Sequence, residues 1–279
     1  MKLASFRKDA IESWGRVDGE QILVSAPLAR RFRDLKSLLE RDGWEDLVAS
    51  SDVTEIIALN EATLLPVIPN PSKIFCVGHN YEDHRQETGR ARTEHPAIFV
   101  RFADSQIGHN SPLQCPSVST MFDYEGELAV IVGKAGRAIP EQDAFDHVAG
   151  YSCYMDASVR DWQWHTHQFT PGKNFPGTGG FGPFLVTAGE FSDPASSSVT
   201  TRLNGDVVQS QSIAEMIFPI PRLIAYISTF TPLSPGDVIV TGTPGGVGAK
   251  RQHPIWLKAG DTVEVEIPGV GTLRHGVRA

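Results

Sequence analysis

From residue 97 to the C-terminus, Gly, Pro and Asp cut the sequence into short β-branched runs: AIFVRF, ELAVIVG, PFLVT, SVTTRLNGDVVQS, DVIVTGT, DTVEVEI and GTLRHGV. A chain punctuated this often has to bury its apolar residues as sheet, so the fold class is α+β, mainly β. Asn204-Gly205 is a hairpin signal between two alternating segments, and SPGD and AGD read as turns that launch strands. Two stretches stand apart as helical: YEDHRQETG, which Gly89 could end, and IPRLIAYISTF, with Pro221 at a first helical position. Before residue 66, LARRFRDLKSLLERDGWEDLVAS carries Leu35, Leu38 and Leu39 at helical spacing. Pro66, Pro69 and Pro71 then interrupt regular structure, which predicts a small domain over 1–70 and a main domain over 71–279.

Charge narrows the partners. With 25 basic and 33 acidic residues the net charge is −8, and no Lys/Arg cluster offers a footprint for nucleic acid. No apolar run reaches membrane-spanning length, and MKLASFRKDAIESWG continues with charge, so a soluble, cytoplasmic protein without a membrane partner is expected. Cys76, Cys115 and Cys153 are odd in number and far apart, which suits buried free thiols in a reducing compartment.

The chemistry concentrates in FDYEGELAVIVGK, where Glu125 and Glu127 alternate and so share one face of a strand. Two carboxylates held that close repel unless a cation lies between them or one is protonated. Alone, a Glu-X-Glu pair reads first as a solvated outer face. Further along, GYSCYMDASVRDWQ brings Asp156 to a strand end, followed by Arg160, Asp161 and Gln163. Three carboxylates without His or Cys would make an all-oxygen site, favouring Mg²⁺, Mn²⁺ or Ca²⁺ over Zn²⁺.

In PGKNFPGTGGFGP, Gly177, Gly179 and Gly182 satisfy GxGxxG, but Pro176 precedes them and PFLVT follows, so the strand-loop-helix of a dinucleotide site is missing. A tight loop that places Lys173 near the carboxylates is the expectation. TGTPGGVGAK has the wrong spacing for a P-loop, and its glycines are expected to let backbone amides approach a small anionic substrate. His84 and Glu87 stand three apart, either as a surface contact or as an imidazole oriented by a carboxylate for general-base work. His79, His165 and His167 read as structural or rim residues.

In this order, KIFCVGHNYEDHRQETG, FDYEGELAVIVGK, GYSCYMDASVRDWQ, GKNF, LNGDVVQSQSIAEMIF, PGDVIVTGTPGGVG and KAGDTVEVEIPGVGTL resemble the fumarylacetoacetate hydrolase family over residues 73–277. The resemblance is to its branch of acylpyruvases, oxaloacetate decarboxylases and hydroxymuconate isomerases. It implies a mixed β-roll or β-sandwich catalytic domain, a small N-terminal α/β domain and a homodimer. It also implies that Glu125, Glu127 and Asp156 hold Mg²⁺ or Mn²⁺, that His84 and Glu87 form a dyad on a mobile segment, and that Lys173 faces the developing oxyanion. Arg160, Gln163 and Thr243 fall where the family meets substrate. Where relatives commonly carry Phe-Leu-Lys-Pro this chain has Arg101-Phe102, and an arginine there could grip a second carboxylate as a bidentate fork.

A 2-oxo acid suits such a site, because its carboxylate and keto oxygens chelate a hard cation that stabilises an enolate. The leading expectation is hydrolytic C–C cleavage of a 2,4-dioxo acid, an acylpyruvate such as fumarylpyruvate or acetylpyruvate, in aromatic or organic acid catabolism. His84 would activate water and Lys173 would stabilise the oxyanion. The rivals are decarboxylation of oxaloacetate, isomerisation of 2-hydroxyhepta-2,4-diene-1,7-dioate or 5-carboxymethyl-2-hydroxymuconate, and a catalytically silent metal-binding scaffold.

Overall fold

The β-branched runs pair into two large sheets in the computed structural model, which describes residues 1–41, 44–50 and 52–279. The larger sheet runs Glu55–Ala58, Gln21–Val24, Ile11–Asp18, Lys2–Lys8, Gly179–Thr187, Val148–Asp156, Gly126–Val132, Val238–Val240, Ile74–Gly78 and Ala97–Arg101. Along this path neighbours are antiparallel except Val238–Val240 beside Ile74–Gly78, and off it Gln106–Ile107 pairs in parallel with Gly179–Thr187, so the sheet is mixed. The smaller sheet orders Asp206–Ser212, Ser198–Leu203, Thr262–Ile267, Gly271–Arg278 and Leu113–Gln114. Among the described residues neither sheet closes into a barrel, and the mainly β, α+β class expected from the sequence is the one observed.

The middle strand Gly126–Val132 is buried at every position because both of its faces are covered. Leu128, Val130 and Val132 join a core with Val199, Val263 and Val265 of the smaller sheet. Ala129 and Ile131 join a second core with Leu35, Leu38 and Val238. A Cβ on Gly126 would lie 2.0 Å from Thr201 Oγ1, so the close approach of the two sheets depends on glycine there. The continuous LAVIV run is the signature of this two-sided burial.

Residues before 70 extend the same sheet. Lys2 and Leu3 pair with Val186 and Leu185, and Leu3, Trp14, Phe32 and Leu35 share a core with Ile74, Cys76, Tyr154 and Phe181. The leucines at helical spacing fall in the helix Leu35–Glu40, where Leu35, Leu38 and Leu39 are buried. Asp34 caps it, accepting from Ser37 N at 2.7 Å. The same helical reading also covers residues 42 and 43, which lie outside the described residues. The proline stretch is irregular, and Asn204-Gly205 turns the hairpin with φ of 54° and 92°. All three cysteines are free, and no described helix is long and apolar enough to cross a membrane.

The Gly-rich stretch departs from the expected loop. Gly179–Thr187 is a strand inside the larger sheet, and Lys173 instead ends the one-turn helix Thr170–Lys173 just before it. The glycines serve packing: a Cβ on Gly180 would lie 2.2 Å from His275 Nε2, and one on Gly179 would lie 2.6 Å from Gln106 Nε2.

Candidate active site

Glu127 is held on the strand Gly126–Val132, and Glu125 lies just before it, where its carbonyl still accepts from Asp156 N at 2.8 Å. That bond sets the end of Val148–Asp156 beside the Glu-X-Glu pair. Ligand oxygens of Glu125, Glu127 and Asp156 lie within 4.8 Å of one another, and all three residues are buried. Three carboxylates out of water demand compensation, and the cations present supply only part of it.

Glu125 Oε1 meets Arg160 Nη2 at 2.6 Å, and its Oε2 accepts from Lys173 Nζ at 2.5 Å. Burial alone would raise this carboxyl, but Arg160 and then Lys173 hold it well below the usual carboxylate range. Asp156 accepts from Lys173 Nζ at 2.7 Å through Oδ2 and from Arg101 Nη1 through Oδ1. Burial opposes the charge of Lys173, yet Asp156 and Glu125 together keep it above the ordinary lysine value.

Glu127 is different. Its Oε2 accepts from the Gly242 amide at 2.5 Å, and among the described residues it has no ion-pair partner. Burial and then repulsion from Asp156 and Glu125 push it well above the usual range. An acidic cluster with one carboxylate left unpaired, and only oxygen donors, fits a hard divalent cation.

A cleft opens over this cluster, lined by Glu125, Glu127, His84, Lys173, Arg160, Gln163 and Thr243. Asp156 lies beneath it, fully buried. Arg160 is fixed by Asp123, whose Oδ2 accepts from Nε at 2.8 Å, and it donates from Nη1 to Gln163 Oε1 at 2.8 Å. Thr243 Oγ1 donates to Gly126 O at 2.9 Å and accepts from Gln209 Nε2 at 2.8 Å, so it faces the cleft with its proton already engaged.

The helix Glu82–Glu87 carries the dyad. His84 Nδ1 and Glu87 Oε1 are 2.7 Å apart, and the other Glu87 oxygen accepts from Gly246 N at 2.9 Å. A carboxylate at Nδ1 assigns the proton there and leaves Nε2 as the basic nitrogen. The His79 ring stacks on His84 with centroids 5.3 Å apart and planes at 21°. Burial and then the neighbouring His84 push the His79 imidazole down to about 4, so it is neutral near pH 7.

Two expectations are corrected. Arg101 does not line the cleft: its side chain is fully buried and it spends its fork on Asp156 and on Thr178 Oγ1, the latter at 2.7 Å. It neutralises a carboxylate from behind, because the edge strand Ala97–Arg101 ends under Asp156 and not at the opening. Four amides of TGTPGGVGAK likewise do not wait for substrate. Those of Gly242, Gly246, Gly248 and Ala249 donate to the site's own Glu127, Glu87 and Asp123.

Sequence reading missed Asp123 and set His79 aside as a structural or rim residue. Asp123 had a signal, since it precedes Glu125 by two and continues the same alternation. His79 had none, because its place depends on a residue held at φ 56° after the strand Ile74–Gly78.

Comparison with known proteins agrees with this architecture. Residues 73–278 match the model of the fumarylacetoacetate (FAA) hydrolase C-terminal family. The chain is 43% identical over 224 residues to the oxaloacetate tautomerase fahd2, mitochondrial, of Xenopus laevis, covering 80% of this chain and 70% of that one. Among solved structures, a fumarylacetoacetate hydrolase from Exiguobacterium antarcticum superposes with a TM-score of 0.87 at 32% identity, over 100% of this chain and 99% of the other. Maleylpyruvate hydrolase from Sphingobium sp. SYK-6, in complex with manganese (II) ion and pyruvate, gives 0.78 at 28% identity over 99% and 98%. These relatives are enzymes of one family, and the buried carboxylate triad lies within the matched residues. The chain belongs to the fumarylacetoacetate hydrolase family.

Proposed function

We propose that this protein catalyses keto–enol interconversion of a 2-oxo dicarboxylic acid, with oxaloacetate as the reference substrate. The observation that carries the reading is the meeting, in one cleft, of an oriented imidazole and a carboxylate triad with one member uncompensated. Glu125, Glu127 and Asp156 would hold a divalent cation, Mg²⁺ or Mn²⁺, which supplies Lewis acidity toward the 2-oxo carboxylate. His84 Nε2 takes a proton from carbon 3 in the enolising direction and returns it in the other. Glu87 keeps the imidazole aimed and stabilises it while it carries that proton. Arg160 and Lys173 lend positive potential to the oxygen that gains charge, and Gln163 and Thr243 define the wall against which the acid lies.

Hydrolytic cleavage of an acylpyruvate, the leading expectation from sequence, is the second reading, since the same dyad could activate water. It is supported by the likeness to maleylpyruvate hydrolase at 28% identity, whereas the tautomerase relative stands at 43%. A cytoplasmic homodimer completes the proposal, supported by the free thiols and by Val100 and Phe102, which lie exposed on and beside the edge strand Ala97–Arg101.

The test follows the ultraviolet absorbance of enol-oxaloacetate mixed with protein and Mg²⁺, with an EDTA control. The proposal expects metal-dependent loss of enol to keto acid, with the four-carbon skeleton intact. Decay no faster than in buffer, or release of pyruvate in step with the absorbance, would reject it.

A further inference from the structure

We infer that Arg90 binds the second carboxylate of the substrate, the one remote from the 2-oxo group, and so selects diacids over monoacids. The inference rests on the 2-oxo acid reading above and assigns the far end of the same cleft.

The cleft does not stop at the dyad. A second cavity adjoins it, and the two share Gly78, His79, Arg90 and Phe169 in their walls. The two cavities therefore adjoin at the His79 ring, one reaching the carboxylate triad and the other the chain after the helix Glu82–Glu87. At the triad end Glu125, Asp156, Arg160 and Lys173 are paired with one another, and the cation at the cleft's rim, Lys250, lies over the Trp164 ring. At the other end the wall carries Arg85, Arg90 and Arg92 and no carboxylate.

These arginines are not equivalent. Arg85 is spent on Glu82, donating at 3.1 Å from Nε and 2.5 Å from Nη2. Arg92 lines only the outer cavity and also lies within the field of Glu82. Arg90 lines both cavities and has no ion-pair partner among the described residues. A guanidinium at the seam of two cavities is a receptor for a carboxylate, which it meets with two parallel N–H donors.

The backbone fixes where it stands. Gly89, at φ 69°, turns the chain out of the helix, and Arg90 N then donates to Arg85 O at 3.1 Å. Arg85 in return donates from Nη1 to Arg90 O. Arg90 is thus tied to the helix that bears His84 and Glu87, and a carboxylate seated on it also holds that helix over the bound acid.

The experiment compares two probes of equal chain length, 2-oxoadipate and 2-oxohexanoate, as inhibitors of oxaloacetate turnover by the Mg²⁺-loaded enzyme, with direct calorimetric titration beside it. Wild type is expected to bind the diacid about tenfold more tightly than the monoacid, the scale of one charge-assisted pair at a partly exposed site. Arg90→Gln should erase that ratio through weaker diacid binding, while Arg90→Lys should keep part of it. An unchanged ratio in Arg90→Gln, or no preference in wild type that turns over oxaloacetate, overturns the assignment of Arg90 alone. If no 2-oxo acid binds or turns over, the reading of the whole site falls with it.

Discussion

Replacing His84 with alanine is expected to lower kcat for oxaloacetate enol–keto conversion by about 10²–10⁴-fold, the usual weight of a positioned general base. The imidazole is held from several sides, by Glu87 at 2.7 Å, by the His79 ring, and through Glu87 by the Gly246 amide. That degree of fixing is what a proton-transfer group needs and what a surface contact does not. His84 contributes no oxygen donor to the triad, so Mn²⁺ affinity measured by calorimetry should be unchanged in the variant. Glu87→Gln should retain more activity than His84→Ala, because the imidazole survives but loses the carboxylate that aims it. Full activity in His84→Ala would remove this residue from the mechanism.

Arg101→Met should destabilise the metal-free protein by about 3–5 kcal/mol, the cost of leaving one partner of a buried pair uncompensated. Arg101 and Asp156 both have fully buried side chains, and without Arg101 only Lys173 remains on Asp156. Urea unfolding monitored by tryptophan fluorescence checks the figure. Arg101→Lys should lose less, since the charge remains while the fork that also reaches Thr178 is lost. A variant of unchanged stability whose defect lies in KM alone would restore Arg101 to the substrate side and contradict the buried pair.

The sequence revealed the fold and the triad to different depths. Strand runs were readable because β-branched stretches ended at Gly, Pro and Asp, and Asn204-Gly205 named its own turn. The Glu125 and Glu127 alternation placed two carboxylates on one face, yet only the strand pairing that joins Asp156 N to Glu125 O brings the third beside them. Arg101 was misread because its role depends on which end of an edge strand lies under Asp156, a tertiary relation with no local pattern. Glycine amides of TGTPGGVGAK were rightly read as binding anions, but the anions met by Gly242, Gly246 and Gly248 are the protein's own side chains, more than 100 residues away in sequence. Arg90 was invisible for a related reason: one arginine among several near Gly89 acquires meaning only where two cavities meet.

The most direct test of the account is to incubate oxaloacetate with the Mg²⁺-loaded enzyme in D₂O and follow carbon 3 by NMR. A single oriented imidazole acting on an intact acid should deliver deuterium to one face of that carbon, faster than buffer, with no pyruvate formed in step. Deuterium on both faces at the buffer rate, or label appearing only in pyruvate, would contradict the account.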